Sequence, residues 1–194
     1  MYHDLFRDAS FWSFLFDVDQ ELAATTRKQG CLCGGRLHRA NYPRKPRGGC
    51  ENLPESYDYR LSFCCERDGC RKRATPRSVR FLGRKVYLGA VVVLVAAMRQ
   101  GPSPRRVREL SRLFEIDRRT IDRWRVFWHE HFPQTAFWKT NRSRLVPKVD
   151  LAHLPRALLD AFIHSPDSRE DWKRLLRFLS PTTITGGLWI KGIS

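Results

Sequence analysis

The chain has 194 residues, 42% of them apolar and 12% aromatic, which is enough to build packed cores and excludes wholesale disorder. A formal charge of +16 and a pI near 10.3 point to polyanionic partners and leave the fold open. The excess is concentrated: residues 27–47 hold seven Lys/Arg and no acid, residues 60–85 carry net +7 and residues 99–148 net +8, whereas residues 1–26 carry −4 and residues 149–194 only +1. A uniformly solvated surface would spread its charge, so the middle of the chain is where a polyanion is expected to bind.

Residues 1–30 predict an amphipathic helix over 5–28. Phe6, Phe11, Trp12, Phe14, Leu15, Phe16 and Leu22 serve its packing, and Gly30 closes it. Asp4 and Asp8 interrupt any basic-then-apolar leader, so a cytoplasmic, nucleoid-associated protein is expected. In a reducing compartment six cysteines favour metal ligation over disulfides.

Residues 31–85 turn to Gly, Pro, Cys and Arg, a texture too polar for a conventional core, with a strand-like alternation over Tyr57–Phe63. Two cysteine groups flank this stretch, Cys31-Leu32-Cys33-Gly34-Gly35 and Cys64-Cys65-x4-Cys70. Zinc takes four soft ligands in a tetrahedron, and two tight turns contributing two thiolates each satisfy it if strands bring them together. Cys31, Cys33, Cys65 and Cys70 are the expected Zn2+ ligands, with Cys64 projecting from the other side of its strand and Cys50 and His38 in reserve. Arg44, Lys45, Arg47, Arg71 and Arg73 around this ribbon are candidate phosphate contacts, and Tyr42 either stacks on a base or packs on the strand.

Residues 86–133 predict three helices, Val86–Gln100, Pro104–Phe114 and Arg118–Phe132, broken at Gly101-Pro102 and Glu115-Ile116-Asp117. The apolar run Val86–Met98, at 13 residues, is short of the about 20 that a membrane span needs. Val107, Leu110 and Phe114 on one helix and Ile121, Trp124 and Trp128 on the next share a spacing that buries one face of each, the pattern of a helix-turn-helix with Asp117 as N-cap. At about 100° per residue, Arg119, Asp122, Arg123 and Val126 lie opposite the buried face and would enter a major groove, with Arg119 and Arg123 reading guanine edges. Arg112, Arg118 and Thr120 are placed for phosphates. Residues 134–181 predict a C-terminal pair of helices, Leu154–Ile163 and Ser168–Leu179, and residues 182–194 a flexible tail. The expected fold is thus α+β and mostly α: a small β zinc ribbon, a three-helix helix-turn-helix domain and a helical pair.

A cysteine ribbon, then Arg73-Ala74-Thr75-Pro76-Arg77-Ser78-Val79-Arg80-Phe81-Leu82-Gly83-Arg84, then helices ending in Thr120-Ile121-Asp122-Arg123-Trp124 resembles the N-terminal DNA-binding half of bacterial insertion-sequence transposases over residues 31–130. The resemblance implies binding to transposon ends. Such transposases continue into a ribonuclease-H-like core with three carboxylates on a sheet. Here 65 residues follow His129, and Asp150, Asp160, Asp167, Glu170 and Asp171 fall on no strand pattern.

The expectation is therefore a DNA-binding protein and not an enzyme, a transposon-associated accessory or transposase-derived factor. Its partners would be double-stranded DNA and a transposase or recombinase, with no membrane. The alternatives are a transcription regulator, an RNA-binding protein, or a metal-dependent nuclease or transposase fragment using His129-Glu130-His131 and His153. His-x-His on one helix diverges by about 200° and makes a poor chelate.

Overall fold

The computed structural model describes residues 5, 7–44, 47, 48, 53–81, 89, 91, 92, 103–145, 148–165 and 167–183. The expected helix Val86–Gln100, apart from Gly89, Val91 and Val92, lies outside them, as do Lys45, Cys50, the Leu110 side chain and residues 184–194. The fold is α+β and mostly helical.

Leu5 and Arg7 are helical, as the apolar spacing suggests, but Asp8 interrupts the run: its carboxylate accepts the Ser10 N–H and caps helix α1 (Ala9–Gln29) there. It ends at Gly30, whose φ of 71° lets the N–H turn back to the Arg27 carbonyl. Phe11, Trp12, Leu15 and Val18 are buried in one aromatic core, while Ala23, two turns from the C-terminus, belongs to a second, smaller cluster with Leu37, Phe63 and Cys65. One helix thus supports both parts of the chain. Truncating a buried Phe or Trp of this kind to Ala costs about 3–5 kcal/mol.

The smaller cluster underlies a three-stranded antiparallel sheet in the order β1 (Leu37–Arg39), β4 (Phe63–Cys65), β5 (Arg73–Ala74). A separate two-stranded ribbon pairs β2 (Tyr42–Pro43) with β3 (Tyr59–Arg60). The alternation over Tyr57–Phe63 is therefore not one strand. Glu55–Asp58 forms a 3-10 turn after Pro54, and at Leu61-Ser62 the chain leaves one sheet for the other, with Asn41 Oδ1 accepting the Ser62 N–H.

Nor is this segment without conventional core: Tyr57, Val79 and Phe81 are buried among the aromatic residues, and the Tyr57 hydroxyl donates to the Trp12 carbonyl. Aromatic rings supply the volume that the polar composition lacks.

Downstream, α2 (Pro104–Phe114) and α3 (Arg118–Val126) stand where predicted, and α3 runs on into a π-helical turn, Phe127–His131. A short helix absent from the sequence reading, α4 (Ala136–Asn141), is capped by Thr135 and buries Trp138 beside Phe132, ring centroids 5.2 Å apart. Helix α5 (Arg156–Phe162) follows Pro155 rather than starting at Leu154, and α6 (Arg169–Leu179) is capped by the Ser168 hydroxyl. Trp172 of α6 meets Phe11 edge-on, and the ion pairs Arg169–Asp8 and Arg177–Glu21 bind α6 to α1. The tail expected to be loose from residue 182 begins as structure: Thr182 and Thr183 are buried, and Thr183 Oγ1 accepts the Ser78 N–H.

Candidate metal centre and basic surfaces

Four of the cysteines converge. The Sγ atoms of Cys31, Cys33, Cys65 and Cys70 all lie within 4.8 Å of one another, with Cys31–Cys70 at 3.7 Å and Cys33–Cys65 at 3.5 Å. Thiolates about 2.3 Å from a tetrahedral zinc are about 3.8 Å apart, so the spacing suits such an ion.

Local backbone geometry accounts for the convergence. The Gly34 N–H donates to the Cys31 carbonyl at 2.8 Å and the Cys31 N–H to the Gly35 carbonyl at 3.0 Å, closing a tight turn that Gly34 can enter at φ 82°. The β1–β4 register sets Leu37 opposite Cys65 and so carries the second pair across. Gly69, at φ 81°, turns the chain toward Cys70. A Cβ at Gly35 would lie 2.6 Å from Cys65 Sγ and 3.4 Å from Cys33 Sγ, so the sulfurs occupy the space that any side chain there would need.

The electrostatics suit a cation. Cys33 is lowered to about 6, first by the Gly35 backbone N–H and then by the neighbouring thiols, so its thiolate forms readily. At Cys65 the Arg67 N–H pulls the same way, but burial and the surrounding sulfurs outweigh it and push the thiol up to about 12. Cys70 is also raised, the adjacent sulfurs and burial overcoming the Lys72 N–H. Three sulfurs therefore each receive the N–H of the residue two further on, while mutual repulsion stops them ionising together. A divalent ion removes that repulsion.

Cys64 stands apart on the other side of β4, its Sγ 3.4 Å from the Arg71 carbonyl. His38 also lies outside the cluster, paired with Glu66 at 3.1 Å.

The basic residues divide into two groups. Arg47, Arg71 and Arg73 are exposed, Arg71 pairing with Asp68 at 2.8 Å. Arg44 is half-buried over the Phe81 ring at 5.2 Å, and burial lowers its pKa. Arg73 donates to the Ala40 carbonyl and to Ser62 Oγ, and lies over the Tyr42 ring at 5.5 Å. Arg44 and Arg73 are thus engaged within the ribbon, because the short strands place them over aromatic rings. Tyr42 packs on the strand.

On α3, Arg119, Asp122, Arg123 and Val126 are exposed while Ile121 and Trp124 are buried. Arg112 and Arg118 are exposed too, and Arg118 lies 3.8 Å from Asp122. Thr120 is buried, its N–H and hydroxyl both donate to the Asp117 carboxylate, and it accepts from Arg123 Nη2 at 2.8 Å. Its polar groups complete the N-cap, which also holds the Asp117 carboxyl below its ordinary range, chiefly through the Thr120 N–H.

A buried ion pair escaped the sequence reading. Asp19 of α1 accepts from Val79 N at 2.6 Å, Ser78 Oγ at 2.6 Å and Arg80 Nε at 2.8 Å, and both charged side chains are fully buried. Its one sequence signal is that Asp19 falls on the stripe that also holds Trp12 and Leu15.

Among the described residues, no strand follows Ala74, and no helix is long and apolar enough to cross a membrane. No protein-family model, curated protein or solved structure matches this chain.

Proposed function

We propose that this protein binds double-stranded DNA through α2 and α3 as a helix-turn-helix, with zinc held by Cys31, Cys33, Cys65 and Cys70. The observation that carries the DNA reading is the division of α3, which buries Ile121 and Trp124 and turns Arg119, Asp122, Arg123 and Val126 to solvent. The turn supports it. Three residues separate the helices, Glu115 takes the left-handed conformation at φ 52° that glycine often supplies in this motif, and the Ser111 hydroxyl donates to the Ile116 carbonyl at 2.6 Å. The supporting energy is ionic, from cations that neutralise phosphates, so affinity falls steeply with salt.

Zinc is favoured over other ions by four sulfur donors at tetrahedral spacing. Its role here is structural, since all four positions are filled by the chain and none is left for a substrate. The resemblance to the front end of insertion-sequence transposases supplies the setting: an accessory or derived factor that recognises element ends, with a transposase or recombinase as partner.

The double substitution Arg119→Ala/Arg123→Ala tests the recognition surface. It is expected to erase about 1–3 kcal/mol of base discrimination per lost bidentate contact, while binding to random duplex weakens less. Titration of a selected and a scrambled duplex reads both. Equal losses on the two duplexes would reassign these arginines to the phosphate backbone.

A further inference from the structure

Among the described residues, Leu32 is an outlier. It is fully exposed, at 104% of its reference surface, whereas no other exposed large apolar side chain exceeds the 42% of Val126. A leucine on a mobile loop could fold back against the protein, but this one cannot. Both its neighbours are members of the four-sulfur cluster, and the backbone bonds from Gly34 to Cys31 and from Cys31 to Gly35 pin the turn on either side of it. The one-residue spacing of Cys31 and Cys33 directs the two sulfurs inward and leaves the residue between them outside.

The surroundings are cationic. Arg67 lays Nη1 against the Cys33 carbonyl, one residue away, at 2.6 Å. Cys70, 3.7 Å from Cys31, brings Arg71 and Lys72 to the same end of the sheet, and α1 ends there with Arg27 and Lys28. All five of these cations are exposed. The two acids of this region are already engaged, Glu66 with His38 and the Arg36 N–H, Asp68 with Arg71. A rigid apolar point at a cationic end of the sheet complements a partner that has apolar surface between two rows of anions. Stacked base pairs between phosphate backbones have that form, and proteins that kink duplexes insert leucine-sized wedges between base steps in this way.

We propose that Leu32 is a wedge that enters the minor groove of duplex DNA and partly unstacks one base step, with Arg67, Arg71 and Lys72 on the flanking phosphates. The inference rests on the DNA-binding reading above and assigns it a second contact, separate from α3. Because the turn is already fixed by the sulfur cluster, little ordering entropy opposes insertion.

The test uses the full zinc-loaded chain and duplexes carrying 2-aminopurine at successive positions, with end labels to report bending by energy transfer. Wild type is expected to raise 2-aminopurine fluorescence at one step and to bring the duplex ends closer. Leu32→Ala is expected to abolish both signals and to bind about tenfold more weakly, the loss of one buried leucine contact. Its zinc content and circular dichroism should be unchanged, since the side chain touches nothing inside. Leu32→Phe should retain the fluorescence signal. If Leu32→Ala binds and unstacks like wild type, the wedge is overturned while the DNA-binding reading stands. If wild type binds no duplex at all, both fall.

Discussion

Replacing Arg80 with Met, or Asp19 with Ala, is expected to remove about 3–5 kcal/mol of stability, because either change leaves a charge buried without its partner. Both side chains are fully buried, and Asp19 accepts three hydrogen bonds. The Arg80 guanidinium also donates to the Ser56 and Tyr59 carbonyls and lies within 4.7–5.1 Å of the Phe16, Tyr57 and Phe81 ring centroids. The pair therefore joins α1, the 3-10 turn before β3 and the Ser78–Phe81 segment, and through Ser78 N and Thr183 it reaches the C-terminal segment. A domain is stable by only about 5–15 kcal/mol, so either single variant is marginal. The double change Asp19→Leu/Arg80→Met should recover part of the loss, since neither charge then remains. Urea unfolding at constant m-value reads all three. Single changes costing less than about 1 kcal/mol would mean that water reaches the pair.

Metal removal should have the second large effect, and a local one. Among the described residues, the cluster beneath β1, β4 and β5 fully buries Ala23, Leu37, Phe63 and Cys65, with Leu61 and Ala74 half-buried against them, too little apolar surface to hold three strands of two or three residues. Structural zinc contributes about 10–16 kcal/mol in small zinc-dependent folds. Chelation is expected to release one zinc per chain and to expose the amides of Leu37–Arg39 and Phe63–Cys65 to hydrogen exchange. Tryptophan fluorescence from the aromatic core should hold. Acid should act like the chelator: ligation needs four thiolates, Cys65 and Cys70 resist ionisation unless the metal displaces their protons, and falling pH returns those protons. Cys65→Ser should lose the ion and Cys64→Ser should keep it. Retained protection after chelation would show that the sheet stands without metal.

The sequence carried the parts of this fold that depend on local chemistry. Asp117 before Arg118 marks a helix start that the structure reproduces, because capping is a short-range contact. The separation of Cys64 from Cys65 was legible for a similar reason, since neighbours on a strand face opposite ways. What it hid depends on distant partners. The rings beneath Arg44 and Arg73 come from Phe81 and Tyr42, 37 and 31 residues away in sequence. Asp19 and Arg80 are 61 residues apart and meet only once both sheets and α1 are assembled. Periodicity also overextended one strand, at Tyr57–Phe63, where alternation crosses a 3-10 turn and a change of sheet.

The most direct test of zinc-supported DNA recognition is selection of bound sequences from a random duplex pool, with and without a chelator. The zinc-loaded chain is expected to enrich one motif rich in guanine, as Arg119 and Arg123 would choose it. The chelated chain should recover a shorter form of that motif at lower yield, because α2 and α3 remain folded while the contact from the cysteine sheet is lost. A zinc-loaded chain that enriches no duplex sequence, and binds none more tightly as salt is lowered, would contradict the account.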